Sequence, residues 1–182
     1  MVAHYTPSSF PMIPLINKNT SKILKDSWQT IVNKNSIENG NSTSGITLFY
    51  NEFYERLAIL DTSGQFETVL TNNVQGMSML HARGAILIRM VKYFMSIEDD
   101  SREIRNRLHL LGKSHAKMEI RPWQYSTFVQ TLLLTISSRL GTGATTDVMS
   151  AWVNMFAFVM KGMLPSAIGP MINTREIAVN TV

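Results

Sequence analysis

The chain has 182 residues, 45% of them hydrophobic and 16% charged, with 17 Lys and Arg against 13 Asp and Glu. This length suits one domain of roughly 100–200 residues, and the composition is that of a globular chain rather than a disordered one. The basic residues are scattered rather than clustered with aromatics, which argues against a nucleic-acid-binding surface. The absence of cysteine excludes disulfides, thiolate metal sites and a cysteine nucleophile.

The first 19 residues contain Pro7, Pro11 and Pro14 and show no hydrophobic period. We therefore predict an N-terminal extension over residues 1–19. This segment lacks the basic start and the apolar run of a signal peptide. No apolar run in the chain approaches the ~20 residues that a membrane helix needs, so we expect a cytoplasmic protein that does not span a membrane.

Helical periodicity begins after this extension. Thr20 and Ser21 suit the N-cap of a first helix, and the polar segment 33–45 is predicted to be a loop. A second helix is predicted over about residues 46–60, where apolar residues recur at four-residue steps. After a break, a long third helix is predicted from about Asn73.

The rest of the chain is predicted to be helical as well. A fourth helix has an apolar stripe that ends at His115, and Pro122 opens a fifth helix, since proline suits the first helical turn. A last helix is expected to end at Pro165. We find no convincing strand pattern. The sequence predicts an all-α fold, with one domain over residues 20–164 and a C-terminal extension over 165–182.

Two histidines occupy positions inside apolar helix stripes, His81 in the third helix and His115 in the fourth. A core histidine that hydrogen-bonds a backbone carbonyl is one interpretation of each. Two such histidines on consecutive helices also suit an apolar slot with one nitrogen ligand on each side of a haem iron. Zinc is a weaker alternative, because nothing supplies its third and fourth ligands.

The order of these motifs resembles that of the globin family from Ser21 to about Leu164. The segment M-L-H-A-R-G-A-I-L-I-R-M-V (79–91) resembles the helix of the distal histidine, and L-x-x-L-G-x-x-H (108–115) resembles the helix of the proximal histidine. Three further segments resemble the first, penultimate and last globin helices: S-K-I-L-K-D-S-W (21–28), R-P-W-Q-Y-S-T-F (121–128) and A-W-V-N-M-F (151–156).

The resemblance implies a globin fold whose helices pack around haem b. It makes His115 the iron ligand through Nε2, with Nδ1–H donated to a carbonyl of its own helix such as that of Leu111. It makes His81 the distal histidine, which either hydrogen-bonds a bound gas or binds the iron itself. The other positions that it places around the haem are Phe66, Ile120 and Ala85.

The second helix offers two aromatic residues for the gas-binding side. If Gly45 is the small residue at which the second and distal helices cross, Phe49 faces that side. Alignment of residues 53–61 on the usual end of this helix places Tyr54 there instead. A phenol can hydrogen-bond a bound gas and a phenyl ring cannot. We favour Phe49, because a close helix crossing needs a small residue.

The resemblance, which extends to neuroglobin-like and nematode-type globins, implies that O2, NO or CO binds at the haem iron. Such a protein serves in oxygen transport or storage, in gas sensing or in electron transfer. The alternative is an enzyme that turns over NO or nitrite, as an NO dioxygenase or nitrite reductase. That activity needs an external reductase, since no reductase domain is evident in the chain. We expect gas binding rather than catalysis.

Overall fold

Six α-helices, one short hairpin and one 3-10 turn (Gly141–Gly143) are the regular elements in the part of the chain that the structure describes. The computed structural model describes residues 6–38, 41–61, 79–118 and 120–179, with the helical backbone alone over 79–83 and 169–179. The helices are α1 (Lys18–Asn33), α2 (Gly45–Leu60), α3 (Met79–Met95), α4 (Arg102–Lys117), α5 (Pro122–Leu140) and α6 (Thr146–Val179). The predicted all-α fold is confirmed.

The segment between α1 and α2 contains two short strands that the sequence analysis did not predict. Strand β1 (Ser36–Glu38) pairs antiparallel with β2 (Asn41–Thr43). The prediction of an irregular loop over 33–45 was therefore wrong in this detail. Strands of three residues are too short to show an alternating hydrophobic pattern, so periodicity does not detect them.

Short polar side chains determine where several helices begin. The side chain of Asn17 accepts a hydrogen bond from the backbone N–H of Thr20 at 2.9 Å. Asn17 is therefore the N-cap of α1, whereas Thr20 and Ser21, the predicted caps, lie inside the helix. Ser44 and Ser101 cap α2 and α4 in the same way, which satisfies backbone donors that a helix leaves unpaired at its start.

The helices share one hydrophobic core. Its largest fully buried side chains include Trp152, Phe49, Phe53 and Phe156. Burial of a large apolar side chain stabilises a fold by about 1.5–3 kcal/mol. The indole N–H of Trp152 donates to the hydroxyl of Ser27 at 3.1 Å, so the polar edge of this ring is paired and links α6 to α1.

The fourth and sixth helices are in close contact at Gly112. A Cβ atom on this residue would overlap the carbonyl oxygen of Met163 and the hydroxyl of Ser166. The hydroxyl of Ser166 also donates to the carbonyl of His109 at 2.8 Å. These contacts hold the helix that carries His115 directly against α6.

The last helix is longer than the sequence suggested. It continues through Pro165 to Val179, so the predicted helix end at Pro165 was wrong. A proline inside a helix costs about 3 kcal/mol, but Ser166, Ala167 and Ile168 are buried beyond it. Their packing offsets the cost, and the core extends past residue 164.

The first part of α6, Thr146–Ile168, is long and apolar enough to cross a membrane. However, 72% of its most apolar window is buried inside the protein. That burial is the pattern of a core helix, and the apolar surface of α6 is used for packing against the other helices.

The described part of the N-terminal extension lies against the helical domain. Phe10 and Ile16 pack on the core, and the backbone N–H of Leu15 donates to the side-chain oxygen of Asn154 at 2.9 Å. Residues 6–17, the described part of the extension before α1, therefore contact α6 and contain no helix or strand.

Candidate functional site

His115 lies in the last turn of α4 with its ring partly buried. Its Nδ1 is 2.9 Å from the carbonyl oxygen of Leu111, one turn earlier. This is the hydrogen bond expected from the sequence. A carbonyl only accepts, so Nδ1 carries the proton and Nε2 keeps its lone pair. No hydrogen bond to Nε2 is formed by the described residues, and this orientation suits a metal ligand.

Burial affects the charge of His115. Loss of solvent lowers its pKa below the ordinary value of 6.5, and the hydrogen bond to Leu111 opposes this in part. The imidazole is therefore neutral at pH 7, and the neutral form is the one that binds a metal.

Tyr125 of α5 packs beside this histidine. The two ring centroids are 5.8 Å apart, and the ring planes are tilted by 36°. The Tyr125 hydroxyl is buried and has no hydrogen-bond partner among the described residues, and a buried unpaired hydroxyl costs about 1–3 kcal/mol. Burial also raises the pKa of Tyr125, so the phenol keeps its proton. Tyr125 was not predicted as a site residue, because the only signal for it in the sequence is its position three residues after Pro122.

Three partly buried apolar residues lie near His115 or Tyr125 in the chain. Ile120, whose backbone N–H donates to the carbonyl of His115 at 3.2 Å, is half-buried at the edge of the core. Leu111 and Phe128 are half-buried too. Hydrogen bonds therefore link His115 to Leu111 and to Ile120, and the place of these residues at a haem stays a prediction.

These residues fit a haem group. Haem is a flat, largely apolar molecule whose iron accepts an imidazole nitrogen as its axial ligand. Nε2 of His115 would supply that nitrogen, and the partly buried apolar side chains of Leu111 and Ile120 would supply surface for the ring. In the part of the chain that the structure describes, no group of three or more His, Asp or Glu side chains is placed to hold a metal ion.

The opposite side of the predicted pocket is described only in part. His81 lies in the first turn of α3, but its side chain and the whole of Phe66 are outside the described residues. One turn beyond His81, Gly84 is buried against Tyr50 of α2, and a Cβ on Gly84 would lie 2.8 Å from the Tyr50 ring. Ala85 is exposed, and its place at the haem stays a prediction.

The packing of α2 around its aromatic residues differs in part from the packing predicted from the sequence. Gly45 packs on α1 rather than on α3, because its Cβ would overlap carbonyl oxygens of α1. The reason given for favouring Phe49 was therefore wrong. Phe49 packs edge-on against Trp28 at 4.9 Å, and Tyr54 is half-buried. Whether Phe49 or Tyr54 borders the gas site stays a prediction. The aromatic residue of α2 that contacts Gly84 of α3 is Tyr50, for which the sequence contains no signal.

Comparison with known proteins gives one finding. A family model described as Globin matches residues 58–163, which is more than half of the chain. The match begins near the end of α2 and continues into α6, so it includes both His81 and His115. No match was found among curated proteins.

Proposed function

This chain belongs to the globin family, and on that premise we propose that it binds haem b through His115 and a diatomic gas at the haem iron. Membership of this family makes the chain a globin-type haem-binding protein in general. The observation that supports His115 as the ligand is its geometry: Nδ1 is held by the Leu111 carbonyl at 2.9 Å, which leaves Nε2 for the iron. The gases that we propose are O2, NO and CO.

Haem, when bound, supplies the iron at which the gas binds. The protein supplies orientation and a water-poor environment. The Leu111 carbonyl fixes the rotation and tautomer of the imidazole, and an oriented ligand holds its metal more tightly. Leu111 and Ile120, whose backbones are hydrogen-bonded to His115, have partly buried apolar side chains. An apolar environment favours a neutral gas over water or ions at the site.

The test is reconstitution of the purified protein with haem. We expect the wild type to form a Soret band, and we expect His115→Ala to form a weak band that is lost on gel filtration. His109→Ala is the matched control, because His109 lies on the same helix with an exposed side chain and should leave the band unchanged. A wild-type protein that stays colourless would refute the proposal.

His81 is proposed as the residue on the gas-binding side. Its support is its position in α3, one turn before Gly84, where α3 and α2 are in close contact. The ferrous visible spectrum without added gas tests its role. Sharp split bands that become one broad band in His81→Leu mean that His81 binds the iron in the gas-free state. One broad band in both proteins means that the gas site is open.

A further inference from the structure

The Tyr125 hydroxyl is a polar group without a partner beside the proposed iron ligand. Tyr125 is 8% exposed, and its oxygen is buried and makes no hydrogen bond with any residue that the structure describes. Two other described residues have a buried atom without a partner, Asn51 at Oδ1 and Arg139 at Nε. Arg139 also donates through Nη2 to the carbonyl of Lys34 at 3.0 Å, and Asn51 lies on α2, away from α4 and α5 in the chain. Tyrosine has only one polar side-chain atom, so Tyr125 has no such second bond.

The unpaired hydroxyl oxygen does not stabilise the haem-free fold. Phenylalanine would fill the same ring volume without burying an unpaired hydroxyl, which costs free energy. Nδ1–H of the neighbouring His115 is donated to the carbonyl of Leu111, and Nε2 of His115 makes no hydrogen bond to Tyr125. An unpaired buried polar atom in a native protein calls for an absent ligand, ion or water as its partner.

The position of Tyr125 indicates which ligand this is. Its ring is in contact with the ring of His115, and it begins the second turn of the helix that also presents Phe128. His115 and Phe128 both belong to the candidate site described above. A haem whose iron is bound by Nε2 of His115 would therefore lie near the ring of Tyr125.

We propose that the Tyr125 hydroxyl gains its hydrogen-bond partner when haem binds, so that Tyr125 helps to hold the cofactor on the His115 side. This inference rests on the proposed haem site. A phenol O–H can donate to the carboxylates of haem or, more weakly, to the electron-rich faces of its ring system. The hydroxyl is thus unpaired in the empty protein and paired in the loaded one.

Tyr125→Phe should then have opposite effects on the two states. In haem-free protein it removes an unpaired buried oxygen, so the urea midpoint of unfolding should rise or stay unchanged. In haem-bound protein it removes a hydrogen bond, so haem should dissociate about three- to tenfold faster. Dissociation is measured as transfer of haem to an excess of a haem-scavenging apoprotein, followed at the Soret band.

Tyr93→Phe is the matched control, since Tyr93 is a half-buried tyrosine of α3 whose ring contacts Phe94. It should leave the rate of haem loss unchanged. Equal rates of haem loss in wild type and Tyr125→Phe would overturn the inference. A lower urea midpoint together with faster haem loss would also overturn it, because Tyr125 would then be an ordinary core residue.

The failure of this inference and that of the proposed function are distinguishable. If the wild type forms no Soret band, the haem site itself is refuted. If the wild type binds haem and Tyr125→Phe releases it at the wild-type rate, only the role of Tyr125 is refuted. Repeating the measurement with haem dimethyl ester identifies the acceptor: the effect of the substitution disappears if it is a carboxylate and persists if it is the ring system.

Discussion

The imidazole of His115, the proposed iron ligand, is oriented by a hydrogen bond within its own helix and kept neutral by burial. Loss of solvent is the larger influence on it and lowers its pKa, while the hydrogen bond to Leu111 has the smaller, opposite effect. The ring therefore stays neutral and oriented at pH 7. The same loss of solvent makes protonation of His115 unfavourable for the fold.

We expect the haem-free protein to lose stability as the pH falls below about 6.5. The folded protein has the lower His115 pKa, so the unfolded chain binds more protons in this range and is favoured by acid. The contribution is fully present above the ordinary pKa and is lost as the pH falls through the lowered one. Urea unfolding of wild type and His115→Gln over about pH 5–8 measures it.

The exposed His109 is the reference for this measurement. His109→Gln should retain the wild-type dependence of the unfolding free energy on pH, whereas His115→Gln should show a flatter one. The same dependence in His115→Gln as in the wild type would mean that other groups cause the loss of stability in acid.

At the scale of elements, α4 is positioned by its contact with α6. This contact depends on a missing side chain at Gly112, beside the carbonyl of Met163 and the hydroxyl of Ser166. A backbone carbonyl cannot rotate out of the way, so an added methyl group has to separate the two helices. The position of His115, less than one turn further along α4, depends on the same contact.

Gly112→Ala is expected to destabilise the protein by about 1–3 kcal/mol, the usual cost of overpacking a close contact. Urea unfolding of the haem-free protein measures this change. Gly143→Ala is the control, because a Cβ there meets its nearest atoms at 3.9 Å, an ordinary contact. A stability for Gly112→Ala equal to that of the control would mean that α4 shifts along α6 without cost.

At the scale of the whole molecule, the described part of the N-terminal extension contacts α6, and residues 165–179 extend this helix. The N-terminal extension is attached through Leu15 and Asn154, and the C-terminal part of α6 continues the core through Ile168. The hydroxyl of Ser166 joins this part to α4 by its bond to the carbonyl of His109. The contacts of the described residues therefore extend beyond the predicted domain of residues 20–164 on both sides, and the limits of that domain stay a prediction.

A chain that ends at residue 164 should be less stable than one that ends at residue 179, by about 2–4 kcal/mol. The shorter chain loses the burial of Ile168 and Ala167 and the hydrogen bond of Ser166. Urea unfolding of both truncated chains and of the full chain measures the difference. Equal midpoints for the two truncated chains would restore residue 164 as the end of the folded unit.

Local features account for what could be predicted from the sequence. Hydrophobic periodicity identified the helices, because an amphipathic helix repeats its apolar face about every 3.6 residues. The bond from His115 to Leu111 was predictable because a helix places residues four apart on one face. The motifs of 79–91 and 108–115 indicated the family that the comparison then showed.

The sequence by itself thus determined the helical class, most helix positions and the direction of the His115 ring, since each depends on neighbours within one or two helical turns. Only the tertiary structure decided that Gly45 packs on α1, that α6 passes Pro165, and that the Tyr125 hydroxyl is buried without a partner. Each of these depends on which side chains of other helices lie beside the residue, and a linear pattern does not contain that information.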